Sequence, residues 1–258
     1  MRAQVFLPEM ARPSVARAPS LARGRDGGFY TAVWIAAAVL VLGGFGRTYF
    51  LRTFFQTRAL PLVLHLHGAL MTTWFVLFLV QARLVAAQRM RWHRWLGGAA
   101  VFVAPLMVGV GVLVSVRAQR LGHRPHSVTI EEGLYGGIMP FLVFGVLVAA
   151  ALLLRGKGDS HKRLMLLATL SLVQAAVGRL PFDLVPSLGF LREGAPLGLL
   201  SLDLLLVYGC VAWDTFQNRR VHPAFLWGLA PLLILENVFA RPIAHSTPWV
   251  SLAKYLVP

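Results

Sequence analysis

Seven apolar runs of about 17–22 residues follow one another with short connections, and that succession narrows the fold more than any other feature. The runs are Phe29–Phe50, Leu60–Ala82, Leu96–Val116, Gly133–Leu154, Leu164–Leu180, Pro196–Trp213 and Ala224–Ala240. A segment of this length crosses a bilayer as a helix, because a helix satisfies its own backbone polar groups where no water can. The expected fold is an all-α polytopic membrane helix bundle of about seven transmembrane helices. Composition agrees: 57% of the residues are hydrophobic and 14% charged, where soluble domains carry about 25% charged residues. Residues 1–28 are rich in Arg, Ala and Pro, lack the apolar core of a secretory signal, and read as a disordered basic tail. Residues 29–258 read as one transmembrane domain. The piece Pro248–Val257 is too short to span and suits an interfacial helix.

The 25 Lys and Arg outnumber the 10 Asp and Glu. On a soluble chain that excess would suggest nucleic acid. Here the basic residues sit between apolar runs, so membrane lipids and no nucleic acid are the expected partners. Of these 25, 15 fall on the side of the N-terminal tail, which places the N-terminus in the cytoplasm. The single cysteine, Cys210, excludes an internal disulfide and any cysteine-based zinc or iron–sulfur site.

Ionisable side chains at the centre of a span cost about 2.5–3.5 kcal/mol each and mark function by default. The second run carries His65 and His67, the sixth Asp203 and the seventh Glu236. Arg47 and Arg179 close the first and fifth runs, Glu131 and Glu132 open the fourth, Asp183 follows the fifth, and Arg241 and His245 follow the seventh. With the N-terminus inside, all of these fall in the outer third; Asp214, near the inner end of the sixth run, is the exception. Two readings stay open. One is an internal network in which Arg47, Arg179 and Arg241 pair with Asp203 and Glu236. The other is a polar site of His65, His67, Asp203, Glu236 and Arg179 that binds a metal, haem or small polar ligand.

Helical geometry limits the histidines. Residues two apart diverge by about 200°, so His65 and His67 cannot serve one centre from a regular helix. His65 shares its face with Gly68 and Thr72, and His67 shares its face with Met71, Trp74, Phe78 and Gln81; either face could be the inward one. A haem held by one of them would need an end histidine such as His126 or His245.

Three inner connections repeat a pattern: RMRWHRWLGG, KGDSHKRLML and NRRVHPAFLWG each place basic residues and one histidine (His93, His161, His222) at a helix entrance. Interface anchoring explains them; a cytoplasmic ligand or phosphate site is the alternative. No nucleophile elbow, P-loop or dinucleotide fingerprint occurs.

The order H-x-H-G (His65, His67, Gly68), Trp74, Gln81, H-R-W-L-G (His93 to Gly97), H-K-R-L-M (His161 to Met165) and R-V-H-P-A (Arg220 to Ala224) resembles an uncharacterised family of bacterial multi-pass inner-membrane proteins. More remotely, it is similar to membrane proteins of unknown function that are compared with haem-binding cytochromes. The resemblance implies a small polytopic bundle in a bacterial inner membrane and supplies no activity. Besides a ligand-binding membrane protein, it leaves open a redox or electron-transfer subunit, a proton-coupled small-solute transporter, and a structural or sensory subunit of a membrane complex.

Overall fold

The computed structural model describes residues 21–57, 59–123, 127–184, 186–193 and 199–258, and among them the chain is helical with no strand. Four helices are long and apolar enough to cross a bilayer: Gly28–Phe50, Leu62–Ala86, Met90–Arg120 and Ile130–Leu153. They belong to α1 (Leu21–Phe45, continued by a π turn at Gly46–Phe50), α2 (Leu62–Ala86), α3 (Met90–Arg120) and α4 (Ile130–Leu153). The first helix begins at Leu21, inside the stretch expected to be a tail; residues 1–20, His126 and the Pro196 start of the sixth run lie outside the described residues.

The later runs fold differently from the first four. The fifth becomes α5 (Gly158–Ser171) and a short α6 (Gln174–Val177), and the sixth yields α8 (Leu202–Asn218) after a one-turn α7 (Phe190–Glu193). The seventh is α9 (Pro223–Leu233) followed by a second π turn, Ile234–Val238. Then come α10 (Ala240–Ala244) and α11 (Thr247–Leu256). Pro242 follows the π turn and has no N–H to offer the Val238 carbonyl. The backbone widens, and Phe239 N–H donates to the Ile234 carbonyl at 2.8 Å.

The centre of the bundle is α5. Every residue from Arg163 to Val173 except Met165 is buried, so its side chains are covered all round rather than along one stripe. The helices α4, α8 and α9 pack against α5, while α1 packs on α6, and α1, α2, α3 and α4 pack in chain order. At Leu172–Val173 the backbone tightens: Val173 N–H donates to Leu170 O and Ala176 N–H to Val173 O. This break keeps the fifth run from forming one long helix. It is tolerated because the freed backbone lies inside protein, not against lipid.

Two contacts hold α5 and α6 in place. Trp74 of α2 is fully buried, donates its indole N–H to the Thr169 hydroxyl at 3.2 Å, and stacks edge-on against Phe144 of α4 with centroids 4.8 Å apart. Gly44 of α1 lies so close to the Ala176 backbone that a Cβ there would collide with it. At its N-terminus α4 opens with a reciprocal cap, Thr129 Oγ1 accepting from Glu132 N–H and Glu132 Oε2 accepting from Thr129 N–H, both at 3.2 Å. There α11 folds back over α4: Trp249 Nε1 donates to Glu131 O at 3.0 Å and its ring meets Tyr135.

Candidate functional site

Asp203 sits in the first turn of α8, just after Ser201 at the helix N-cap. Glu236 rides on the second π turn, a local widening that recurs at functional sites. Side chains take up carbonyls that this turn leaves open. The Tyr135 hydroxyl donates to Leu235 O at 2.9 Å, and Asn237 Nδ2 donates to Leu232 O at 2.8 Å. The two carboxyls lie within range of one another's charge. Asp203 Oδ1 and Glu236 Oε1 are each buried without a hydrogen-bond partner. Tyr135 lies within range of Glu236, and Tyr208 within range of Asp203.

The arginines expected to neutralise them are engaged elsewhere. Arg179 Nη1 donates to Ala175 O at 2.6 Å and its guanidinium lies over the Phe45 ring. Arg47 lies over Phe55, and Arg241 is paired at 3.8 Å with Glu132, which also meets His245 Nε2 at 3.1 Å. Among the described residues, neither Asp203 nor Glu236 has a cation within ion-pair distance. Of the three arginines, Arg241 alone meets a carboxylate among the described residues, in the Glu132–Arg241–His245 cluster.

The structure separates the two histidines as helical geometry requires and decides which is inward. The face of His67 is the core face: His67 meets Phe141 edge-on at 5.7 Å, Met71 and Phe78 pack on the core, and Trp74 is buried in it. His67 also lies within range of the Arg179 charge. His65 turns toward α1, its ring 5.9 Å from the Tyr49 ring, which lies over Gly68. The five predicted site residues thus fall into an acid pair (Asp203, Glu236), a histidine–arginine pair (His67, Arg179) and His65 beside Tyr49. Among the described residues no three His, Cys, Asp or Glu side chains converge as a metal set.

A buried ion pair joins α5 to α8. Arg163, on α5, reaches Asp214 on α8 through Nη2–Oδ1 at 2.7 Å and Nε–Oδ2 at 3.0 Å, and donates from Nη1 to Asp159 O at 2.7 Å. The three repeated histidines do not form one centre. His222 caps α9 by accepting from Ala224 N–H through Nδ1 at 3.1 Å. His93 and His161 meet, with ring centroids 6.3 Å apart. The sequence showed Asp214 as an isolated inner acid and Arg163 as one of many basic residues. The signal that could have joined them is that each stands at the inner end of a run, on elements that turn out to pack.

Comparison with protein-family models, with curated proteins and with solved structures finds no match for this chain.

Proposed function

We propose that this chain is a seven-span protein of a bacterial inner membrane, N-terminus in the cytoplasm, in which Asp203 and Glu236 form a shared acid pair that takes up and releases a proton. The four long helices supply four of the spans. The joined α5–α6, α8, and α9 with its π turn supply the other three; the 17 residues of α8 reach about 25 Å, near the lower limit for a span. This reading keeps the resemblance to uncharacterised multi-pass inner-membrane proteins.

One observation carries the proton assignment: a buried Asp203 and a half-buried Glu236 within range of each other's charge, each with one buried, unpartnered carboxyl oxygen, and no cation beside either among the described residues. Two carboxylates in one buried site repel, and the inexpensive state is one shared proton. Intramembrane acids of this kind mark proton relays. His67 and Arg179, on the α2 and α6 side, would supply the polar wall for a small solute whose movement such a proton accompanies.

The test is infrared difference spectroscopy of the purified full chain between acidic and alkaline buffer. A protonated-carboxyl band present in the unmodified protein and lost in both Asp203→Asn and Glu236→Gln is the expected result. A spectrum in which neither variant changes the band overturns the assignment.

A further inference from the structure

We infer that the inner end of the bundle carries a separate site for a divalent transition-metal ion, held by His93 and His161 with the side-chain oxygen of Gln81 as a third donor. The site stands apart from the acid pair: from His67 to Gln81 the α2 helix rises about 21 Å.

The geometry assembles donors from three helices. His93 lies in the first turn of α3, His161 in the first turn of α5, and Gln81 in the last two turns of α2. Metal–nitrogen bonds of about 2.0–2.1 Å place two imidazoles on one ion with centroids about 5–6.5 Å apart. The observed 6.3 Å, with ring planes at 83°, lies at the upper end of that span, where the two rings stand nearly opposite each other across the ion.

The tautomer of His161 follows from its partner. Its Nδ1 lies 2.8 Å from the Ala151 carbonyl. A carbonyl can only accept, so Nδ1 carries the proton and Nε2 keeps the lone pair. Metal-bound histidines are held in this way, with the other ring N–H donated to a backbone carbonyl or carboxylate.

The remaining donors are unpartnered. His93 Nδ1 and Gln81 Oε1 are both buried with no hydrogen-bond partner. Buried polar atoms without partners are rare and costly, and two at one contact call for a common occupant. The backbone of Gln81 is within hydrogen-bonding influence of the His93 ring, and the Gln81 amide packs where a Cβ of Gly97, one turn beyond His93, would stand. Gly97 therefore leaves α3 room to sit close against the Gln81 side chain.

Two imidazoles and an amide oxygen suit zinc, copper(II) or nickel better than calcium or magnesium, which prefer all-oxygen sets. Water would complete the coordination, since both rings are only half-buried. Arg94 is the charge nearest His93 that opposes a cation. The Arg163 charge nearby is already met by Asp214.

Zinc titration of the metal-stripped full chain in mild detergent tests the site. One equivalent is expected to bind, with affinity at least tenfold weaker in His93→Gln and in His161→Gln and unchanged in His67→Gln. Copper(II) paramagnetic resonance on the unmodified protein gives an answer that does not depend on a variant folding: coupling to two imidazole nitrogens is expected. No zinc binding, zinc binding that both variants retain, or copper without nitrogen coupling would overturn the proposal.

Discussion

Arg163 and Asp214 grip each other at two points across the α5–α8 contact, and the arginine side chain is only 3% exposed. A bidentate pair of this kind is geometrically demanding as well as strong. Taking one partner away leaves a buried charge uncompensated, which costs about 3–5 kcal/mol. Asp214→Asn and Arg163→Met are each expected to lower stability by that amount in denaturant unfolding of the detergent-solubilised protein. The double variant Arg163→Met with Asp214→Leu should cost less than either single change. Additive losses would show that the two side chains do not act as a pair.

Trp74 and Thr169 separate packing from hydrogen bonding. Trp74→Ala empties a fully buried site between α2, α4 and α5, and a loss of about 3–5 kcal/mol is expected. Thr169→Val keeps the side-chain volume and removes the acceptor of the indole N–H together with the hydroxyl's own bond to Met165 O. Interhelical hydrogen bonds in membranes are worth about 0.6 kcal/mol on average and about 1.7 at most, so the second variant should fall in that range. Equal losses in the two would contradict this division.

Gly44 is fixed by the Ala176 backbone, which cannot move aside as a side chain can. Gly44→Ala must push α1 away from α6, and overpacking of this kind costs about 1–3 kcal/mol. Gly209→Ala, on α8 with open space around the added Cβ, serves as the control and should be neutral or slightly stabilising. Thermal unfolding of the two variants side by side reads the difference.

His222 makes the α9 cap dependent on pH. Its pKa lies below the ordinary imidazole value, first because burial disfavours the cation and next because of the Arg163 charge; Asp159 and Asp214 pull the other way without reversing the shift. The cap needs Nδ1 as an acceptor, hence the neutral ring. The unfolded chain takes up a proton near pH 6.5 or so, while the folded chain holds it off until lower pH. The unfolded state then binds more protons, and stability falls as pH drops from about 6.5 toward the lower folded value. His222→Asn keeps a capping side chain and should flatten that part of the profile, whereas His222→Ala should lose about 1 kcal/mol at neutral pH. An unchanged slope in His222→Asn would assign the pH dependence to other groups.

Much of the architecture was legible before any coordinates. Apolar run length marked the four long helices, and 200° spacing required His65 and His67 to part, because both follow from chain geometry alone. The fifth run reads like the others in composition, yet it is broken at Leu172–Val173 and buried on all sides; nothing local distinguishes a lipid-facing helix from a central one when lipid and protein interior are equally apolar. The pairing of Arg47, Arg179 and Arg241 with Asp203 and Glu236 was a reasonable expectation from depth. It failed because depth orders residues along the membrane normal and says nothing about which helix faces which.

The sequence by itself determined that this is an all-helical membrane-type chain, which residues lie near each helix end, and which side chains share a helical face. Those are consequences of hydropathy and of 3.6 residues per turn. Tertiary packing alone decided that the His67 face turns inward, that Asp203 and Glu236 lie within range of one another's charge with no arginine at ion-pair distance from either among the described residues, that Arg163 closes on Asp214, and that His93 meets His161. The last three join residues 33, 51 and 68 positions apart. Only the azimuth of each helix about its own axis, set by small close contacts such as Gly44 on Ala176 and Trp74 on Thr169, brings such residues together.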